Sequence, residues 1–314
     1  MVAKGKATGY MLGAIAAASY GLNPTFALPL YSDGMNPESV LMLRYGLAIP
    51  MVAAMILIRR RSFKVQRKSI LLLAGLGILM ALSSLTLFIS YNYMAAGIAS
   101  TILFVYPLLV AVIMAIFCHE KLTMHTMLCI LLATGGILLM YNTGNGETLS
   151  LTGTLMVIAS ALSYAIYLVA INQKQLSDIA TLTVTFWVLV FGSLLFSGSL
   201  TLGAAELTLP SKWYLWLDAS ALAVFPTVIS LMCTTRAIQI IGSTPTAILG
   251  AIEPVTAVIM GMLLFNEGMT GREAFGIALI LIAVTFVVAG GAHSGSAITR
   301  HLTRFRQMFP KLYK

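Results

Sequence analysis

Residues 105–123 read VYPLLVAVIMAIFCHEKLT, and residues 252–270 read IEPVTAVIMGMLLFNEGMT. At a constant offset of 147, Pro107 meets Pro254, Glu120 meets Glu267 and Thr123 meets Thr270, with small and bulky aliphatic positions in step between them. Earlier in each copy an offset of 144 matches Gly9, Ala17, Ser19 and Tyr20 with Gly153, Ala161, Ser163 and Tyr164. The chain is therefore written twice, with a small insertion between the two registers. A repeat of this kind decides the architecture before any single residue does.

Both copies are made of membrane spans. The 314 residues are 59% hydrophobic and only 9% charged, with a mean hydropathy of +0.94. Soluble domains carry about 25% charged residues, so this chain lacks the polar surface that water requires. A spanning helix takes about 20 mostly apolar residues. Ten such runs can be laid out, at about 9–30, 38–58, 69–92, 97–117, 124–141, 151–171, 180–200, 213–235, 244–265 and 273–291. The connections are short, and no segment remains that could build a water-soluble domain.

Five spans per copy is an odd number, so the second copy must enter the bilayer from the opposite side. The expected fold is an all-α integral membrane protein of ten transmembrane helices, arranged as two inverted five-helix repeats. Residues 1–147 form the first, residues 148–292 the second, and residues 293–314 a basic tail. Inverted repeats are a recurring plan of secondary transporters. Two similar halves in opposite orientations can exchange conformations, so the molecule opens to either side at similar energy.

The basic residues orient this bundle. With the N-terminus in the cytoplasm, 16 of the 19 lysines and arginines face that side; the other side keeps Lys212 and Arg272, and Arg44 lies within a span. That is a strong positive-inside asymmetry, and it places both termini in the cytoplasm. Asp33, Glu38, Glu147, Glu206, Glu267 and Glu273 then face outward. The formal net charge of +9 thus reports topology, and the partners expected are a lipid bilayer and a small-molecule substrate, with no nucleic acid. The N-terminal stretch imitates a secretory signal, yet its match recurs in mid-chain without that role. Cys118, Cys129 and Cys233 are odd in number and lie in apolar stretches, so no disulfide framework is implied.

Several stretches together resemble a known family. ASYGLNP at 18–24, MLRYGLA at 42–48, VYPLLVAVIMAIFCHEKLT at 105–123 and GAIEPVTAVIMGMLLFNE at 250–267 are similar to the ten-span EamA family of the drug/metabolite transporter superfamily. The likeness covers nearly the whole chain. It departs at Tyr20-Gly21, where many members carry tryptophan with glycine, and at the degenerate second tail around Glu267. The resemblance implies passage of small organic metabolites or drugs, often export, across a plasma membrane of the bacterial inner-membrane type, without ATP hydrolysis.

Polar residues inside the spans are the candidate site. An ionisable side chain at the bilayer centre costs about 2.5–3.5 kcal/mol on translocon scales. Glu253 lies near the middle of the ninth span and precedes Pro254. A carboxylate is held charged in such surroundings only at high cost, which makes it a candidate proton carrier; the competing role is an acid that fixes helix packing. Its counterpart in the fourth span is Tyr106, before Pro107. The two proline bends should face each other and put phenol and carboxyl on one cavity. The first span adds Tyr20, Asn23 and Pro24, the third Ser83 and the sixth Tyr164. Serine and threonine commonly bond back to their own helix, so the bland reading of Ser83 is packing. Arg44 is expected either to snorkel to the interface or to pair with a carboxylate, of the protein or of a substrate.

These features suit a secondary carrier for an amino acid or similar amphipathic solute, working by alternating access and a candidate for proton coupling. A sugar-phosphate or nucleotide-sugar exchanger is the alternative, though an anionic cargo should call for several cations at depth. A channel-like facilitator would want rings of charge or a filter. An enzyme has little support: His119-Glu120 begins H-E-x-x-H, but position 123 is threonine. His125 and Cys129 are four apart, yet two ligands do not make a zinc site. No catalytic residue, metal or cofactor is expected.

Overall fold

The computed structural model describes residues 2–94, 99, 102–117, 123–140, 150–172, 176, 179–201, 206–265 and 271–293. The two glutamate tails at 118–122 and 266–270, and the basic tail from 294 on, lie outside the described residues. Every regular element described is helical, and no strand occurs among them. The first span is split into α1 (Val2–Tyr20) and α2 (Asn23–Ser32). The second and third are α3 (Pro37–Ile58) and α4 (Arg67–Ser90). The fourth contains α5 (Tyr106–Phe117), the fifth is α6 (Met124–Met140), the sixth α7 (Leu151–Ala170) and the seventh α8 (Thr181–Thr201). In the eighth, α9 (Leu215–Ala223) passes through a π-helical turn, Val224–Ile229, into α10 (Ser230–Ile241). The ninth is split into α11 (Ser243–Leu249) and α12 (Ile252–Phe265), and the tenth is α13 (Gly271–His293).

Local chemistry sets the ends. Asn36 caps α3 through Oδ1, which accepts from the Ser39 N–H at 2.8 Å, with Pro37 and Glu38 in the first turn. All three residue types favour a helix start. Ser150 caps α7 in the same manner, accepting from the Gly153 N–H at 3.3 Å. Gly242, at φ 89°, ends α10 and lets the chain reverse at once into α11; only glycine adopts that backbone without strain.

The packing obeys the two-fold that an inverted repeat requires. The third span packs on the sixth, as the eighth packs on the first; the fourth packs on the sixth, as the ninth packs on the first. The second and seventh pack together, and so do the fifth and tenth, each a pair that the axis exchanges with itself. Where the third and seventh cross, a Cβ placed on Gly77 would lie 2.8 Å from the Val188 carbonyl oxygen, and one on Gly192 would lie 3.1 Å from that of Gly77. Small residues permit this backbone-to-backbone approach, the usual way to bind helices where no hydrophobic effect drives them together. Leu71, Phe117, Leu131 and Leu263 meanwhile stand bare on the outside. In water such a belt would drive aggregation; in a bilayer it is the lipid-facing surface. The protein is a multi-pass membrane protein.

Loop contacts show which ends share a face. Asp33 accepts from the Ser211 N–H at 2.7 Å and from its hydroxyl at 2.5 Å, and the Asn36 amide donates to the Glu206 carbonyl at 2.6 Å. At the opposite face the Thr183 hydroxyl donates to the Ser62 carbonyl at 2.9 Å, and the Trp187 indole N–H to that of Phe63 at 3.0 Å. These are called the Asp33 face and the Ser62 face below.

Candidate functional site

Three spans are interrupted at mid-depth, and each interruption is followed by a proline. Pro24 is the second residue of α2, Pro107 the second of α5 and Pro254 the third of α12. The sequence suggests bends; the structure has breaks, at residues 21–22, 104–105 and 250–251. Proline lacks the N–H that a helix interior needs, but its fixed φ suits a first turn, so the helix stops and restarts around it.

The breaks lie against one another. A Cβ on Gly21 would run into the Glu253 carbonyl oxygen and lie 2.9 Å from Thr256 Cβ. A Cβ on Gly250 would fall on the Tyr106 hydroxyl, so that phenol fills the space a side chain would take. Gly21 and Gly250 are therefore required by close approach and not by backbone conformation. Tyr164 of α7 completes the group. Its ring centroid is 4.9 Å from that of Tyr106, edge on, and 6.3 Å from that of Tyr20, stacked; Tyr167 stacks on its far side at 6.1 Å.

Tyr20, Tyr106, Tyr164 and Glu253 line one cavity, with Ala17, Ser230, Thr234, Thr246 and Gly250 among its other walls. It encloses about 20 Å³, room for about one water, so a cargo would have to open it. The Glu253 carboxylate has no hydrogen bond or ion pair among the described residues. It sits in the first turn of α12, where the helix dipole favours negative charge. A carboxylate, three phenols and several hydroxyls can together hold an amine, a proton or a polar solute edge, while the aromatic faces cover an apolar body.

The other three candidates lie elsewhere. Ser83 ties the third span to the sixth: its carbonyl accepts from the Ser160 hydroxyl at 2.7 Å, and the two hydroxyls are 3.1 Å apart. Asn23 is buried, 1% exposed, with neither polar side-chain atom partnered among the described residues. Arg44 does not snorkel and has no carboxylate partner among the described residues; it is fully buried. Its Nε donates to the Thr227 hydroxyl and its Nη2 to the Pro226 carbonyl at 2.9 Å. The guanidinium also lies 5.8 Å from the ring centroids of Tyr20 and Phe88.

The cause is the π-helical turn in the eighth span. Pro226 cannot donate to the Leu222 carbonyl four residues back; the Thr227 hydroxyl does so instead, at 2.9 Å. Arg44 then donates to both Thr227 and the Pro226 carbonyl, so the irregular backbone is satisfied inside the protein, as the bilayer demands. Sequence reasoning missed this turn and the cavity walls Ser230, Thr234 and Thr246. The signals available were a proline inside an apolar run and hydroxyl residues four apart on one helix face.

Comparison with known proteins agrees with this architecture. A model of the EamA-like transporter family matches residues 7–142 and again residues 151–289. An uncharacterized transporter of Synechocystis sp. is 28% identical over 218 residues, covering 68% of this chain and 65% of that protein's length. An uncharacterized transporter of Archaeoglobus fulgidus is 22% identical over 260 residues, covering 81% of this chain and 89% of that one. A solved crystal structure superposes with a TM-score of 0.75 at 19% identity, over 92% of this chain and 99% of the other, which supports the fold alone.

Proposed function

The chain belongs to the EamA-like transporter family, and from that premise we propose that it is a secondary carrier of a small amphipathic organic solute, an amino acid or one like it. The observation that carries this reading is the Glu253 carboxylate, unpaired among the described residues, in a tyrosine-lined cavity where interrupted helices from both halves meet. A midplane site at the repeat interface is where inverted-repeat carriers hold cargo.

Both termini lie in the cytoplasm in this reading, and the membrane is a plasma membrane of bacterial type. The Ser62 face, with Arg59, Arg60, Arg61 and Lys64 nearby, is then cytoplasmic. The cavity walls Ala17, Thr234 and Thr246 lie toward that face along their spans. Toward the Asp33 face the path is filled by Arg44, Phe88 and Tyr31 and closed by the loop clasp. In this reading the carrier loads from the cytoplasm once the Thr183 and Trp187 contacts at the Ser62 face part, which suits export. Protons enter the cycle through Glu253: a proton neutralises the carboxylate as the site crosses the midplane, and cargo or water replaces it on one side.

The test is Glu253→Gln in proteoliposomes, with labelled L-phenylalanine and L-leucine as probes and an imposed pH gradient. Gradient-driven accumulation should fall by about tenfold or more, while elution and thermal unfolding of the purified variant match the parent. Undiminished, pH-dependent transport would rule out proton carriage by this residue. A phosphate-bearing cargo is favoured by Arg44 alone, and one guanidinium is a poor match for a dianion.

A further inference from the structure

Two buried polar groups remain incomplete on the Asp33 side of Tyr20. Arg44 uses Nε and Nη2 on Thr227 and Pro226, but its Nη1 has no hydrogen-bond partner among the described residues. Asn23 opens α2, and among the described residues both its amide nitrogen and its amide oxygen are unpartnered, though 1% exposed. The helices that carry them both touch the same π-helical turn. Arg44 bonds to Pro226, and Phe26, one helical turn beyond Asn23, stacks on Phe225 with centroids 6.0 Å apart.

Buried polar groups are almost always hydrogen-bonded, and a buried cation is almost always paired. Here one charge and one amide break that rule within the same layer, and among the described residues no carboxylate answers the charge. The missing partner has a definite chemistry. It must accept from Arg44 Nη1 and Asn23 Nδ2, as a carboxylate does through its two oxygens. It should also donate to Asn23 Oδ1, as a neighbouring N–H does.

The position fits a divided site. Asn23 and Arg44 lie about 10–14 Å below the Asp33-face ends of their spans, Tyr20 and Glu253 about 18 Å below theirs, at 1.5 Å per helical residue. The Tyr20 ring lines the Glu253 cavity, and its centroid lies 5.8 Å from the Arg44 guanidinium carbon. A turn of that one ring would extend the Glu253 cavity toward Arg44 and Asn23, giving a single slot with an anion-binding end and an acidic end.

We propose that Arg44 and Asn23 form the carboxylate-binding half of the transport site, so that the cargo is an amphipathic solute carrying a carboxylate beside an N–H group. This rests on the carrier reading above and names the cargo's recognition element. It also gives the cation of the second span a role in specificity, in addition to holding the eighth span.

The experiment compares three probes of one shape on the full-length protein in proteoliposomes: L-phenylalanine, L-phenylalaninamide and 2-phenylethylamine. Each competes against counterflow of labelled L-phenylalanine, and each is scored by the thermal stabilisation it gives the purified protein. A site built around a hydrogen-bonded group rejects analogues that lack it. The amide and the amine should therefore compete about 10- to 100-fold more weakly than the acid, the ratio for losing one or two charge-assisted hydrogen bonds. Asn23→Leu and Arg44→Gln should collapse that ratio toward unity, and Thr227→Val, which keeps the charge, should leave it standing. A purely structural role for Arg44 would lower activity without moving the ratio. Equal competition by acid, amide and amine overturns the proposal while the carrier reading stands, and that comparison needs no variant to fold. Absence of counterflow for these probes and for all other amino acids overturns the amino-acid carrier reading and this proposal with it.

Discussion

Where the third span crosses the seventh, Gly77 and Gly192 bring two backbones directly together. Where the second span meets the eighth, Arg44 reaches the Pro226 carbonyl and the Thr227 hydroxyl across the gap. The pseudo-two-fold exchanges these two interfaces, yet one is a dry glycine contact and the other a charged clasp. Dispersion over a close backbone contact depends steeply on distance, so the first junction holds one geometry or fails. Hydrogen bonds from a guanidinium can be handed to another acceptor, so the second can open and close. Asymmetry between the halves therefore falls where the proposed cycle needs a movable part.

Overpacking the dry junction should do the most damage. Gly77→Leu would press a side chain into the Val188 carbonyl and Phe191, and is expected to destabilise the protein by about 3 kcal/mol or more, seen as loss of the monodisperse species in detergent. A fully folded Gly77→Leu would show that the junction is loose and erase the contrast. The clasp should respond less. Thr227→Val leaves the Leu222 carbonyl and Arg44 Nε without their partner, at a cost of about 1–3 kcal/mol, measured by thermal unfolding. Because the Arg44 bond to Pro226 survives, that variant should still assemble and transport.

The smallest effect belongs to the loop clasp at the Asp33 face. The Ser211 hydroxyl and N–H hold the Asp33 carboxyl below the usual carboxylate range. The folded protein thus binds fewer protons there than the unfolded chain, so the clasp stabilises above the unfolded value and is lost as pH falls through the folded one. The group stands at the surface and is screened. Acidifying from pH 6 to pH 3 should lower the unfolding temperature slightly more in the parent than in Asp33→Asn; equal slopes would show that the clasp contributes nothing.

Much of this was legible in the sequence because the repeat and the hydropathy are written in side chains. The ten spans, the match of Tyr106 with Glu253 and the positions of the three prolines follow from residue order; that the helices stop and restart there, where a bend would have been expected, does not. The surroundings of Arg44 do not. Its partners are a backbone carbonyl and a hydroxyl some 182 residues away, freed by a change of helical winding that composition does not record. Without that turn the arginine reads as an interface anchor. For Ser83 the packing role that serines commonly take is the one the structure displays, through its bonds to Ser160 of the sixth span.

The Trp187 indole, bonded to the Phe63 carbonyl at the Ser62 face, makes the molecule its own indicator. Any opening of that end admits water to the ring and should shift its fluorescence to longer wavelength. Trp213 and Trp216 stand at the other face and are already open to their surroundings, 79% and 40% exposed. They supply a nearly constant background. The direction in which the protein faces can thus be followed by its own emission, in real time and without a label.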